Sequence, residues 1–389
     1  MARLNIYDRR ERALVRAADA LLAPAALRRV FRRSPKRPPA RILCLRLERI
    51  GDLLMTLPAL AQLRASAPAA SIDLVVGSWN AAIASTIVGV DRVETADVEW
   101  LSRSAAPALS AAGLAGRALA WRARNYDLAI NFEPDIRSNL ALAAAGARRT
   151  VGFASGGGGA LLDVALDYDS RAHTADNAAA LVRAAVGGEP VGRGAPAMLS
   201  IPEDARREAE ARLAALGSGW KIGIHVSGGR PVKQWPPARF RDLAEWLVRD
   251  RAAGIVLTGT PEDREQAAIV RAALPDSRVV DLTNGASLLA TAAAIAQLDL
   301  FISGDTGPMH LATALGTPVV AIFGPSDPAR YGPRGFRDAV VRIDLPCSPC
   351  NRIRLPPARC LGHTPDCLAG IETARVIAAV DEALQARRP

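Results

Sequence analysis

Phe301-Ile-Ser-Gly-Asp-Thr-Gly-Pro-Met-His310 is the stretch of the chain that decides its fold. It predicts a buried strand over 298–303, a tight polar turn and a helix with Pro308 in its first turn, and Val319-Val-Ala-Ile-Phe323 predicts a second buried strand. Strand, helix and strand in this order form a βαβ unit. Open α/β sheets bind ligands at the carboxyl ends of their strands, where a helix that begins offers N–H groups and a positive dipole end. The stretch therefore predicts a phosphate-binding site.

A simpler interpretation of this stretch stays open at this point. Gly304 and Gly307 can serve only to form the turn, and His310 can pack against the core or cap the helix. The rest of the chain has to decide between the two interpretations.

Length and composition indicate a globular protein with two domains. The chain has 389 residues, of which 50% are hydrophobic and 4% aromatic, and this length exceeds the usual limit for a single core. The sequence offers neither a run of about 18 apolar residues, as a membrane-spanning helix needs, nor the apolar segment and cleavage site of a secretory signal. We therefore expect a cytoplasmic protein.

Positive charge is concentrated in an N-terminal arm, which we define as residues 1–40. Residues 1–41 hold 12 Lys and Arg against three Asp and Glu, which gives +9 of the net charge of +10. Stretch 8–33 has helical apolar spacing interrupted at Pro24, and segment 34–39 predicts a stiff linker. Such an Arg-rich segment can lie on an anionic membrane or pack on the body of the protein. We expect contact with the inner face of the inner membrane, and no nucleic-acid partner.

Strands and helices alternate through the rest of the chain. The predicted strands are 41–47, 72–76, 93–95, 128–132 and 150–152 in the first half, and 221–226, 255–258, 298–303 and one from Val319 in the second. This rhythm predicts an α/β fold of two Rossmann-like doubly wound domains facing across a cleft. The predicted limits are 41–201 and 202–370, followed by a C-terminal helix, 371–389. The glycine run 156–159 is predicted to be a mobile loop.

Three polar features need one explanation. They are the helix start at Asp305-Thr306-Gly307, the glycine-rich loop that ends at Lys233, and Asp52 at the first strand-to-helix turn. A cation and backbone donors can clamp a phosphate, and a carboxylate on the opposite wall can take a proton. For Asp52, a simple helix N-terminal acid is the alternative.

Three motifs resemble glycosyltransferase family nine, the heptosyltransferases of lipopolysaccharide core synthesis. They are Gly51-Asp-Leu-Leu-Met-Thr-Leu-Pro-Ala-Leu60, His225-Val-Ser-Gly-Gly-Arg-Pro-Val-Lys-Gln-Trp-Pro236, and Ser303-Gly-Asp-Thr-Gly-Pro-Met-His-Leu-Ala312 with Phe323-Gly-Pro-Ser-Asp-Pro328. The likeness covers about residues 41–385 in the right order. It implies a GT-B fold, an ADP-heptose donor held by the C-terminal domain, and inverting transfer to an anionic lipid-linked oligosaccharide acceptor.

The resemblance also implies roles for single residues. Asp52 matches the catalytic base of the family, and Lys233 matches the lysine that contacts the donor phosphate. The other implied donor-binding residues are Ser227, Gly228, Gly229, Glu262, Asp305, Thr306, Gly307 and His310. Gly228-Gly229 stands where well-known members have hydroxyl residues, and Met55 where some have His, so the donor sugar is less defined than the donor class.

The implied mechanism is a direct displacement that requires no cofactor. Two other function classes stay open: a sugar-nucleotide epimerase of the same fold, which would not need the arm, and a non-catalytic sugar-nucleotide or lipid-binding module, which would tolerate loss of Asp52. Neither the acceptor hydroxyl nor the oligomeric state follows from the sequence.

Four of the five cysteines fall in a Pro-rich cysteine loop, residues 346–367. They are Cys347, Cys350, Cys360 and Cys367. A C-x2-C pair with two further thiols is a ligand set for structural zinc or iron, and a loop of this length needs something to hold it. Four ordinary reduced thiols are the alternative. Cys44 lies alone in a predicted buried strand and is expected to belong to the core.

Overall fold

The computed structural model describes residues 4, 6, 8–27, 37–102, 107–189, 198–335 and 337–386. The chain divides into two compact units, Met1–Gly192 and Arg193–Pro389, and each contains a six-stranded sheet. This confirms the predicted fold class of two α/β units with parallel sheets. The domain limits drawn from the sequence stay a prediction.

The secondary structure alternates between strands and helices in both units. The strands are β1 (Arg41–Arg46), β2 (Ser71–Val76), β3 (Arg92–Thr95), β4 (Leu128–Asn131), β5 (Arg149–Phe153), β6 (Val164–Leu166), β7 (Lys221–His225), β8 (Gly254–Thr258), β9 (Val279–Asp281), β10 (Leu300–Gly304), β11 (Val319–Ile322) and β12 (Ala339–Val341). The helices are α1 (Arg9–Leu22), α2 (Ile50–Ser66), α3 (Ala81–Ala84), α4 (Ala111–Trp121), α5 (Ile136–Ala144), α6 (Thr174–Val186), α7 (Glu203–Leu213), α8 (Pro237–Arg251), α9 (Arg264–Arg271), α10 (Leu288–Ile295), α11 (Gly307–Leu315), α12 (Pro328–Tyr331), α13 (Asp366–Ala369) and α14 (Thr373–Gln385).

The first sheet has the strand order β3-β2-β1-β4-β5-β6, and all its strands are parallel. The central strand β1 is an almost continuous apolar run, with Ile42, Leu43 and Leu45 fully buried, as in sheets covered on both faces. Cys44 lies in this strand and is also buried, which confirms it as a core residue. The connections run one way from β1 to β3 and the other way from β4 to β6. The carboxyl ends of β1 and β4 therefore form a topological switch point.

The second sheet repeats this arrangement, with the order β12-β11-β10-β7-β8-β9. Its switch point lies between β7 and β10, which pair in parallel with His225 opposite Ser303. The loops after these two strands therefore start side by side. Helix α11 follows β10 directly, with Pro308 in its first turn, and it ends at Gly316 with φ of 80°. Only glycine adopts that conformation at little cost.

The described part of the N-terminal arm packs on the first unit. Val15 of α1 is buried, and Asp19 Oδ1 accepts a hydrogen bond from Gly158 N at 2.6 Å. The glycine run 156–159 is thus covered by a helix, which contradicts the prediction of a mobile loop. Residues 28–36, which hold the rest of the predicted helical stretch and half of the linker, lie outside the described residues.

The outer face of the arm remains apolar in part. The side chains of Leu14, Leu21 and Leu27 are 72%, 83% and 65% exposed. The structure therefore shows that the described part of the arm packs on the body of the protein, which was the alternative to membrane contact in the sequence analysis. It also shows that three leucines of the arm stay exposed to solvent. Within the described part of the chain, none of the helices combines the length and the apolar character that crossing a membrane requires.

Candidate functional site

Lys233 and Asp305 meet at the switch point of the second sheet. The loop after β7 carries Lys233 at the end of a short 3-10 helix, Pro231–Lys233, and Asp305 follows β10 directly. Lys233 Nζ lies 2.8 Å from Asp305 Oδ2, and both side chains are more than four-fifths buried. The structure thus brings together two of the residues that the sequence placed in one site.

Asp305 is an ionised carboxylate in spite of its burial. Burial alone would raise its pKa, but the ammonium group of Lys233, the hydrogen bond from the Ser326 hydroxyl and the nearby His310 together hold the pKa below its usual range. His310 itself is buried on α11. Charge and hydrogen bonds therefore outweigh desolvation at this position.

The start of α11 lies next to this pair. Thr306 is the residue before the helix, and its hydroxyl pairs with the Ser303 hydroxyl at 2.8 Å instead of capping the helix. Gly307 is the first helical residue. A helix start with a positive dipole end, beside a lysine, is suited to an anion such as a diphosphate.

The predicted glycine pair of the loop after β7 is needed for the local backbone. A Cβ on Gly228 would lie 2.7 Å from the backbone of Lys233 and Gln234, and Gly229 has φ of 65°. Ser227 Oγ accepts a hydrogen bond from Gly229 N at 3.1 Å. Ser227, Gly228 and Gly229 thus fold the loop that carries Lys233.

A second polar cluster at this edge was missed in the sequence analysis. His225, the last residue of β7, is buried and its Nδ1 lies 3.0 Å from the Thr258 carbonyl oxygen at the end of β8. Burial lowers the pKa of His225 to about 4. Asp263 accepts hydrogen bonds from the N–H and hydroxyl of Thr260, and its pKa is lowered, against the effect of burial, by Thr260 and Ser227. The Thr-x-x-Asp spacing of this capping box is the signal that could have revealed it.

Glu262, the predicted ribose ligand, lies beside this cluster. Its side chain is exposed in the short helix Pro261–Asp263. Its neighbour Asp263 is the carboxylate that caps Thr260 and accepts a hydrogen bond from Ser227 of the loop after β7.

In the first unit, Asp52 lies at the corresponding switch point. It is in the first turn of α2, and 32% of its side chain is exposed. Arg46 Nη2 lies 3.4 Å from Asp52 Oδ1, and Arg46 Nη1 lies 3.3 Å from Glu133 Oε2. Arg46 and Glu133 are buried charged residues that the sequence analysis did not select. A charged residue at the end of the apolar run of β1 was the signal for Arg46.

The four cysteines of the cysteine loop form no disulfide bond and lie at different depths. Cys347 is exposed, Cys350 and Cys360 are half-buried and Cys367 is buried. Burial, and then the neighbouring Cys350, Cys360 and Cys347, raise the pKa of Cys367 to about 11. Among the described residues, no three His, Cys, Asp or Glu side chains are placed to hold a metal ion.

The sequence model of "Glycosyltransferase family 9 (heptosyltransferase)" matches residues 116–357 of this chain. The chain belongs to glycosyltransferase family 9. This match contains Glu133, Lys233 and Asp305, whereas Asp52 lies before it. The resemblance stated from the sequence motifs is therefore confirmed.

Curated relatives of this family 9 chain include lipopolysaccharide heptosyltransferases. It is 33% identical to lipopolysaccharide heptosyltransferase 1 of Pseudomonas aeruginosa over 119 residues, which is 31% of this chain and 33% of that protein. It is 27% identical to the enzyme of the same name from Escherichia coli O18:K1:H7 over 324 residues, 78% of this chain and 91% of that protein. The matched region spans about a third of the length of the first curated relatives.

Solved structures confirm the GT-B fold of the family 9 chain. A glycosyltransferase family 9 protein from Veillonella parvula superposes with a TM-score of 0.75 and 24% identity, covering 91% of this chain and all of that one. E. coli ADP-heptose lipopolysaccharide heptosyltransferase II superposes with a TM-score of 0.70 and 21% identity, covering 90% of this chain and all of that one.

Proposed function

We propose that this chain is an inverting glycosyltransferase that moves a heptose, or a related sugar, from an ADP-sugar to a lipopolysaccharide-core-type lipid-linked acceptor. The observation that carries the proposal is the Lys233–Asp305 pair at the switch point of the second sheet, beside the start of α11. Membership of family 9 supports the same activity.

The second unit would bind the donor. Lys233 and the first N–H groups of α11 would face the diphosphate and stabilise the negative charge that grows on it as it departs. Asp305 can keep Lys233 in place while accepting hydrogen bonds from sugar hydroxyls. Ser227, Gly228, Gly229, Glu262 and His310 complete the proposed donor-binding set.

The first unit would supply the base. In the proposed step the acceptor oxygen attacks the anomeric carbon, the bond from that carbon to the diphosphate oxygen breaks, and the configuration inverts. The acceptor hydroxyl loses its proton to the Asp52 carboxylate. The proposal requires no cofactor for this transfer.

The arm would bring the protein to its acceptor. Exposed Leu14, Leu21 and Leu27 on an Arg-rich segment have the chemistry of a segment that lies on an anionic membrane. We place the protein on the inner face of the inner membrane, where lipid-linked acceptors would be within reach.

The cysteine loop would hold structural zinc or iron. Four thiols in one loop have the ligand chemistry that either metal accepts. Cys350 is tied to the body by a hydrogen bond from its N–H to the Pro325 carbonyl.

One incubation series tests the proposed activity. The protein is mixed with ADP-heptose alone and then with a lipopolysaccharide core acceptor, and ADP release and donor configuration are followed. Release of ADP that depends on the acceptor supports the proposal. An epimerised donor would indicate an epimerase, and an unchanged donor in both mixtures a binding module.

A further inference from the structure

Glu133 is a buried carboxyl group that the proposed reaction does not use. It lies two residues after β4 and is only 4% exposed. Its Oε1 accepts a hydrogen bond from Glu48 N at 3.0 Å, and its Oε2 lies 3.3 Å from Arg46 Nη1. Its own N–H donates to Asn131 Oδ1 at 3.1 Å. Contacts to both of its oxygens therefore hold the carboxyl group in position.

Arg46 connects Glu133 to Asp52. The guanidinium group is 4% exposed, and its Nη1 also donates to the Phe132 carbonyl oxygen at 2.9 Å. Its Nε donates to the Asp52 carbonyl oxygen at 3.1 Å, and its Nη2 lies 3.4 Å from Asp52 Oδ1. One planar cation thus contacts both the backbone and the carboxylate of Asp52 and, on its other side, Glu133.

Three carboxylates act on Arg46, and one of them, Glu48, also acts on Arg137. Glu48, Asp52 and Glu133 surround Arg46, and Tyr168 also acts on it. Burial raises the pKa of Glu133 to about 7, opposed by Arg46 and the Glu48 N–H and increased by the charges of Glu48 and Asp52. When Glu133 is ionised, it competes with Asp52 for the electrostatic stabilisation that Arg46 provides. When Glu133 is protonated, one of the carboxylates that compete for Arg46 is neutral, and Arg46 stabilises the charged form of Asp52 more strongly.

We propose that Glu133 is a positioning residue for Asp52 and acts through Arg46, whose charge the two carboxylates share. This inference rests on the proposed function, in which Asp52 is the base. Ionised Glu133 holds Arg46 in the orientation that contacts Asp52, and it leaves Asp52 with a greater tendency to accept the proton of the acceptor. Transfer therefore becomes faster as Glu133 loses its proton.

The test compares the transfer rate as a function of pH in the wild type and in Glu133→Gln. Glutamine keeps the size of the side chain and an oxygen for the Glu48 N–H, but it has no charge. The wild-type kcat should rise with a midpoint near the pKa of Glu133. In Glu133→Gln this rise should vanish and kcat at pH 8 should fall roughly tenfold with an unchanged KM for the donor. Glu133→Asp should recover part of the rise.

The matched control is Glu94→Gln. Glu94 is a partly buried carboxylate on β3 of the same sheet, paired with Arg117 at 3.0 Å. Its loss should leave the pH profile unchanged. A merely structural Glu133 would lower the melting temperature and leave the shape of the profile as in the wild type, which would overturn the inference.

Carbon-13 NMR of labelled Asp and Glu carboxyl groups separates the two possible failures. In the wild type, the Asp52 carboxyl resonance should shift as Glu133 titrates, and in Glu133→Gln that shift should be absent. This measurement does not depend on turnover. If the wild type shows the shift but releases no ADP in the presence of acceptor, the coupling between Glu133 and Asp52 is supported and the proposed function is wrong. An Asp52 resonance that behaves alike in both proteins would remove the coupling.

Discussion

Lys233 Nζ lies 2.8 Å from Asp305 Oδ2, so the cation proposed for the donor diphosphate is already paired with a carboxylate of its own unit. The two residues stand in separate motifs that the sequence analysis assigned to one site, and the structure adds their direct contact. A diphosphate that reaches Lys233 must share this cation with Asp305. Asp305 thereby fixes where the ammonium group lies before the donor arrives.

Lys233→Ala should weaken ADP-sugar binding. A charge-assisted hydrogen bond to a phosphate contributes roughly 1.5–3 kcal/mol, which corresponds to roughly a 10- to 150-fold rise in Kd by calorimetry. Because Lys233 also lowers the pKa of Asp305, the variant should lose stability at neutral pH, and titrations belong well below its melting temperature. Lys221→Ala, at the other end of β7, is the control. If both variants bind the ADP-sugar with equal affinity, the donor site does not include Lys233.

Asp52→Asn should abolish transfer and leave ADP-sugar affinity unchanged, because the base acts on the acceptor. Removing a positioned base typically costs about 10²- to 10⁴-fold in rate, measured as acceptor-dependent ADP release. Asp204→Asn is a matched control, because Asp204 also lies in the first turn of a helix. If Asp52→Asn turns over like this control, Asp52 is only a helix-start residue.

Most of the fold follows from the apolar pattern of the sequence. The limits of the buried strands β1, β7 and β10 were predicted to within two residues, because each strand is an apolar run that can be recognised without knowledge of its neighbours in the sheet. The three-residue strands β6, β9 and β12 were missed. All three strands lie at sheet edges, where pairing with a neighbour determines the conformation more than local preference does.

His225 should make the second unit less stable in acid. Its folded pKa is lowered by burial from 6.5 to about 4, so the unfolded chain binds the proton first as pH falls. The stability is fully present above pH 6.5 and is lost between pH 6.5 and 4, by about 3 kcal/mol.

Urea unfolding of wild type and His225→Gln across this window measures the effect, and the variant should show the smaller loss. His363→Gln, at an exposed position, should retain the wild-type slope. Parallel curves for wild type and His225→Gln would contradict the prediction.

The double variant Leu14→Glu and Leu21→Glu should bind anionic vesicles less well. Both leucines are in solvent, so the melting temperature should stay unchanged. Each leucine that enters a membrane contributes about 1.5–3 kcal/mol, so partitioning should fall at least tenfold in a sedimentation assay. Leu119→Glu, which replaces a 51% exposed leucine on α4, is the control. If the double variant binds the vesicles as well as the wild type, the arm does not bind membranes through these leucines, and its role is to pack on the body of the protein.

Protein purified without chelators should contain close to one zinc or iron ion per chain by elemental analysis. Replacing Cys347 and Cys350 by serine should remove it, because two of four thiolate ligands are lost, whereas Cys44→Ser should not. Less than roughly a tenth of an equivalent in the wild type, with four titratable thiols in the loop, would establish the reduced loop instead.

The candidate site could be predicted only in part. Motif spacing selected Lys233, Asp305 and Asp52, but Arg46 and Glu133 come together only because β1 and β4, far apart in sequence, are neighbours in the sheet. His225 and Thr258 likewise meet through the pairing of β7 with β8. Contacts across a parallel sheet depend on topology, and one strand does not reveal them.

The packing of α1 on the glycine run 156–159 limits which residues related chains can have at these positions. A Cβ on Gly157 would lie 2.3 Å from Val15 Cγ1, and Gly157 also has φ of 91°. A side chain at this position would displace the arm as well as strain the loop. Chains that keep α1 should therefore keep Gly157 for two reasons, the contact with Val15 and the positive φ, whereas chains that lose the helix keep only the second.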